Sequence, residues 1–66
     1  MERWNSIKSE KIENVEIDAF LQEIIAICKK HGYSISHEDG HGAFEIENTD
    51  DYNFDWLLNA HDCTKI

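Results

Sequence analysis

Between Ser36 and Gly42 the chain runs Ser-His-Glu-Asp-Gly-His-Gly, and further on Trp56 is followed by His61, Asp62 and Cys63. These residue types suit recognition of a polar small molecule. Imidazoles such as His37, His41 and His61 can donate to phosphate, and carboxylates such as Asp39 and Asp62 can accept from ribose hydroxyls. Trp56 or Tyr33 can stack on a base, and backbone N–H groups around Gly40 and Gly42 can cradle an anion. The candidate ligand-binding set is therefore His37, Glu38, Asp39, Gly40, His41, Gly42, Trp56, His61 and Asp62. Each member also has a purely structural reading. A histidine at the rim of a small core is commonly half-buried and hydrogen-bonded, Asp39 and Gly40 can serve turn geometry alone, and Gly42 can let the His37 ring lie flat across the neighbouring strand.

The same groups admit two other chemistries. Three histidines, the carboxylates and Cys63 include the nitrogen, oxygen and sulfur ligands of a zinc site. His37 and His41, however, fall on opposite faces of the expected hairpin and would not chelate as a helical pair does. Catalysis has less behind it, since no Ser-His-Asp order, Cys-His pair or phosphate loop occurs. The expectation is a binding protein with no catalytic residues, metal or cofactor; a small metal-binding structural protein is the further alternative.

Asp39-Gly40 sits between two runs of alternating apolar residues, a strong hairpin signal because both central residues of a type I′ turn take positive φ. On that turn His37 pairs with Gly42, Ser36 with Ala43, Ile35 with Phe44, Ser34 with Glu45 and Tyr33 with Ile46. Tyr33, Ile35, Phe44 and Ile46 then share one face, and Ser34, Ser36, Ala43 and Glu45 the other.

Upstream, Ile17, Phe20, Leu21, Ile24, Ile25 and Cys28 recur at helical spacing after the N-cap candidate Asn14. Glu16 and Asp18 suit the positive end of the helix dipole, Lys29 and Lys30 the negative end, and Gly32 a left-handed stop. Val15, Ala26 and Ile27 widen the apolar stripe and suggest an oligomer. Downstream, Asn48-Thr49-Asp50-Asp51 supplies cap candidates for a second helix with Phe54, Leu57, Leu58 and His61 on one stripe. Trp56 sits on a second stripe with Tyr52 and Ala60. Residues 1–13 show no sustained period and read as a flexible arm, leaving 14–64 as a single domain.

The expected fold is thus α+β, a small α-β-β-α domain with a two-stranded antiparallel hairpin packed on two helices. The second helix, ~18 Å long for a dozen residues at ~1.5 Å each, would run toward the hairpin tip and bring His61, Asp62 and Cys63 beside His37, Glu38, Asp39 and His41.

Sixty-six residues bury a modest core, so a metal, disulfide or second subunit often supplements one. Six Lys and Arg against fourteen Asp and Glu leave a net charge of −8, and residues 31–64 hold eight acids with no Lys or Arg. Nucleic-acid binding is disfavoured, because counterion release needs a basic surface. An acidic surface can instead steer a basic partner. Two cysteines with no leader pattern and no long apolar run point to a cytoplasmic protein without membrane association. Cys28 reads as a core residue and Cys63 as exposed.

The segment from Phe20 to Phe44, with Ser-Ile-Ser-His-Glu-Asp-Gly-His-Gly-Ala-Phe at its end, and Trp-Leu-Leu-Asn-Ala-His-Asp at 56–62 resemble a group of very small tailed-phage proteins. The likeness spans about residues 16–64 and is most specific at those two polar segments. It implies an accessory protein acting in the host cytoplasm against host immunity, a homo-oligomer that sequesters a nucleotide-derived signal of the cyclic ADP-ribose or cyclic dinucleotide type. The residues themselves leave open an acidic protein-interaction module that inhibits a host enzyme.

Overall fold

The computed structural model describes residues 1–59 and 64–66. Its elements are β1 (Glu2–Asn5), β2 (Glu10–Glu13), α1 (Val15–His31), β3 (Tyr33–His37), β4 (Phe44–Asn48) and α2 (Asp51–Asn59). The architecture is α+β, with two antiparallel two-stranded sheets, β1-β2 and β3-β4, and two helices. No described helix is long and apolar enough to cross a membrane.

Helix α1 begins and ends where side-chain chemistry dictates. Asn14 is extended, and its carboxamide oxygen accepts from the Ile17 N–H at 3.1 Å, meeting one of the orphan donors of the first turn. Gly32 takes φ +80° and donates its N–H to the Cys28 carbonyl at 2.9 Å, the left-handed stop. Leu21, Ile25 and Cys28 are buried, and Ile25, Cys28 and Phe54 of α2 form the centre of the core, with Ile24, Ile35, Leu57 and Leu58 packed around it. Cys28 is a free, buried thiol. Helix α2 starts on Asp50, whose carboxylate accepts from the Tyr52 N–H at 2.8 Å.

Three sequence expectations change. Residues 1–13, expected as an irregular arm, form the β1-β2 hairpin, so the order is β-β-α-β-β-α rather than α-β-β-α. Apolar alternation is absent there because the hairpin is tied down by polar side chains. Arg3 and Asn5 are buried, and the backbone of Thr64 bridges in parallel to Asn5. Asn5 also shapes the turn, its carboxamide oxygen accepting from the N–H of Ile7 and of Lys8 at 3.0 and 2.9 Å.

The second change is register. His37 pairs with Phe44, Ile35 with Ile46 and Tyr33 with Asn48, two residues away from the expected alignment. No type I′ turn forms at Asp39-Gly40, because neither residue has positive φ; Gly42 does, at +70°. A six-residue loop, 38–43, closes with the Glu38 N–H donating to the Ala43 carbonyl at 2.8 Å. Glu38 explains why the tighter turn loses: its side chain folds back to satisfy the loop's own backbone donors, which a two-residue turn would not offer it. A shift of two leaves every side chain on the face foreseen, since strand faces repeat every two residues.

The third change is coverage. The apolar face is only half covered: Ile35 reaches the core while Tyr33, Phe44 and Ile46 stay exposed. Ser34, on the polar face, is fully buried. Its hydroxyl donates to the Asn48 carbonyl at 2.6 Å and accepts from Asn53 of α2 at 2.9 Å, and Asn53 also donates to Glu47 at 2.7 Å. Satisfied hydrogen bonding lets this polar contact stand between sheet and helix.

Candidate functional site

The polar loop is built around one carboxylate. Glu38 Oε1 accepts from the Gly40 N–H at 2.6 Å, and Oε2 from the His41 N–H at 2.7 Å. The His41 ring lies against the same carboxylate, Nδ1 to Oε2 at 3.0 Å. The Gly40 N–H, then the other donors, hold the Glu38 carboxyl below its usual value of 4.5. Gly40 has no positive φ, but a Cβ there would stand 2.6 Å from Glu38 Oε1, so any side chain at this position displaces the carboxylate from its present place.

His37 ends β3 and faces two ways. Its Nδ1 lies 2.6 Å from Asp39 Oδ1. Its ring stacks on the indole of Trp56, centroids 4.8 Å apart and planes inclined by 26°. Trp56 is half-buried on α2, and this stack sets the helix against the end of β3.

The loop and helix therefore form two small clusters, Glu38 with Gly40 and His41, and His37 with Asp39 and Trp56. Gly42, just after them in the loop, takes the left-handed backbone position. Expected ligand-binding residues His61 and Asp62, and with them Cys63, lie outside the described residues. The described part of the site is open. Asp39 and His41 side chains are 88% and 89% exposed, so among the described residues the hairpin tip is a surface. Among the described residues no three His, Cys, Asp or Glu side chains are grouped so as to hold a metal ion.

Sequence reasoning missed a second polar centre. Arg3 is 3% exposed and joins three segments, donating from Nη1 to the Leu58 carbonyl at 2.6 Å and from Nη2 to Asp18 Oδ1 at 2.7 Å. Its Nε is buried with no hydrogen-bond partner among the described residues. Asp18 also meets the Met1 amine at 2.7 Å, and that amine, followed by Arg3, lowers its carboxyl from the usual 3.8. Nearby, Asn5 donates to the Ile66 carbonyl at 2.6 Å. The available signal was an arginine alternating with an asparagine through Trp4 in a segment poor in apolar residues, a pattern too common to single out. Comparisons with family models, curated proteins and solved structures returned no match.

Proposed function

We propose that the chain is a non-catalytic binding module that recognises a basic protein surface through its acidic half. The observation that carries this reading is that the loop's polar groups satisfy one another: Glu38 is taken up by Gly40 and His41, and His37 by Asp39 and Trp56. What remains outward is charged, aromatic surface. Residues 31–64 carry eight acids and no Lys or Arg, and Phe44 and Tyr52 stand 70% and 78% exposed. Negative potential of this kind accelerates encounter with a cationic partner, and exposed aromatics supply contact once it docks. Glu38, held as a carboxylate below its ordinary range, is ill suited to exchange protons near neutrality.

Calorimetry with an alternating Lys-Val octapeptide, at low and high salt, tests the proposal beside cyclic ADP-ribose and cyclic dinucleotides. The expected result is peptide binding that weakens steeply as salt rises, and no heat from any nucleotide. Saturable binding of a nucleotide that persists in high salt would overturn it.

A second reading follows from the His37–Trp56 stack: sequestration of a nucleotide-derived signal by a phage-encoded homo-oligomer. A π surface beside the Asp39 carboxylate suits a base and a ribose. Among the described residues the tip has no further walls, and a homo-oligomer would supply them, so this reading predicts an oligomeric solution mass and loss of nucleotide binding in Trp56→Ala.

A further inference from the structure

The outer edge of β4 shows how a basic partner would be held. Backbone hydrogen bonding along the β3-β4 ladder is set in phase at both ends. Glu38 donates to Ala43 at 2.8 Å, and Thr49 donates to Gly32 at 3.3 Å. Hydrogen-bonded and non-hydrogen-bonded pairs alternate in an antiparallel ladder. Counting inward from either end, Ser34–Glu47 and Ser36–Glu45 are the bonded pairs, and Ile35–Ile46 and His37–Phe44 are not. The N–H and C=O groups of Phe44 and Ile46 consequently point away from β3, and no backbone partner meets them among the described residues.

Every residue of β4 is exposed, and the helices pack chiefly on β3. Phe44 and Ile46, 70% and 59% exposed, project from this edge on the same face as Tyr33. The strand carries no Lys or Pro to blunt it, only Glu45 and Glu47 on the opposite face. Those two carboxylates decide between occupants. Pairing β4 with its copy about a two-fold at Ile46, the register that overlaps the whole strand, sets Glu45 directly opposite Glu47, and like charges facing each other across a ladder are unfavourable. A strand with Lys or Arg at those positions turns the same geometry into attraction.

We infer that β4 accepts, by edge-strand addition, an extended segment of a different protein in which basic and apolar residues alternate. Its basic side chains face Glu45 and Glu47, its apolar ones extend the Phe44–Ile46 face, and its backbone bonds to Phe44 and Ile46. This deepens the acidic-module reading and rests on it.

Amide hydrogen exchange by NMR, with the Lys-Val octapeptide as probe, tests the inference. In the free protein the Phe44 and Ile46 amides should exchange fast while those of Glu45 and Glu47 are protected. Adding the probe should slow Phe44 and Ile46 by roughly tenfold or more. Ile46→Pro removes an outward N–H without touching the β3 ladder, so Glu45 and Glu47 should stay protected while probe binding is lost. The double variant Glu45→Lys with Glu47→Lys should likewise lose the probe, and covers the case in which the proline variant unfolds. If the probe binds but leaves Phe44 and Ile46 fast, the edge inference fails and the acidic-module reading survives. If the probe does not bind at all, both fail. Slow exchange at Phe44 and Ile46 before any probe is added, with a dimeric mass, would give the edge to a second copy and overturn the inference.

Discussion

The two hairpins are stabilised by opposite means. β1-β2 has almost no apolar residue turned inward; it is held by Arg3 and Asn5, both buried, which reach residues more than fifty positions away in sequence. β3-β4 has the apolar alternation that normally drives a hairpin onto a core, yet Tyr33, Phe44 and Ile46 remain outside and its tip is ordered by the local Glu38 carboxylate. A removed polar group should therefore be felt globally in the first hairpin and locally at the tip of the second. Burial is the reason, since an unsatisfied polar group is costly away from water and cheap within it.

The hardest test of that contrast is Arg3→Met. It strands the Leu58 carbonyl and takes from Asp18 a charged partner, so unfolding in urea should show a loss of about 3 kcal/mol. A loss no greater than that of Glu38→Gln would erase the distinction between the hairpins. Asn53→Ala comes next. It leaves the buried Ser34 hydroxyl without its α2 partner and should cost about 1 to 2 kcal/mol at an unchanged urea dependence.

The same contrast explains what could be foreseen. Helix α1 was legible because its signals are local and agree: Asn14 caps, Gly32 stops, and Leu21, Ile25 and Cys28 recur at helical spacing. The faces of β3-β4 were legible because alternation survives a two-residue slip, whereas the register was not, because it depends on where the Glu38 side chain finds donors. The first hairpin was hidden for a physical reason. Its stabilising partners are the Leu58 and Ile66 carbonyls, which sequence pattern does not mark. At the site, chain direction led to His61 as the neighbour of His37 and left Trp56 on a separate stripe, so neither the His37–Trp56 stack nor the mutual satisfaction of the loop's polar groups followed from residue types and spacing.

Glycine substitutions sharpen the contrast inside the loop. Asp39-Gly40 looked like the position needing positive φ, but the structure assigns it to Gly42, at +70° with open space around it. Gly42→Ala should therefore cost about 1 kcal/mol through backbone strain. Gly40→Ala should cost less, because the atom its Cβ meets is the far end of the flexible Glu38 side chain, which can swing aside. Thermal melts of the two variants should rank Gly42→Ala below Gly40→Ala, while amide exchange at His41 should quicken more in Gly40→Ala, where the carboxylate has left.

The smallest effect expected is the pH response of the tip. The folded protein holds Glu38 below 4.5 through the Gly40 and His41 donors, and unfolding releases it to its ordinary value. Between those two values the folded state binds fewer protons than the unfolded one, so stability rises with pH across that window. The contribution is complete above the unfolded value and disappears as pH falls through the lowered one. Asp18 acts in the same direction from its own lowered value, so global unfolding alone would blend the two hairpins. Gly40 and His41 amide shifts separate them, because they report only the carboxylate they bond. Their midpoint should lie below 4.5 and vanish in Glu38→Gln; a midpoint at or above 4.5 would mean that the carboxylate does not order this loop, and that the second hairpin is held by something other than its own tip.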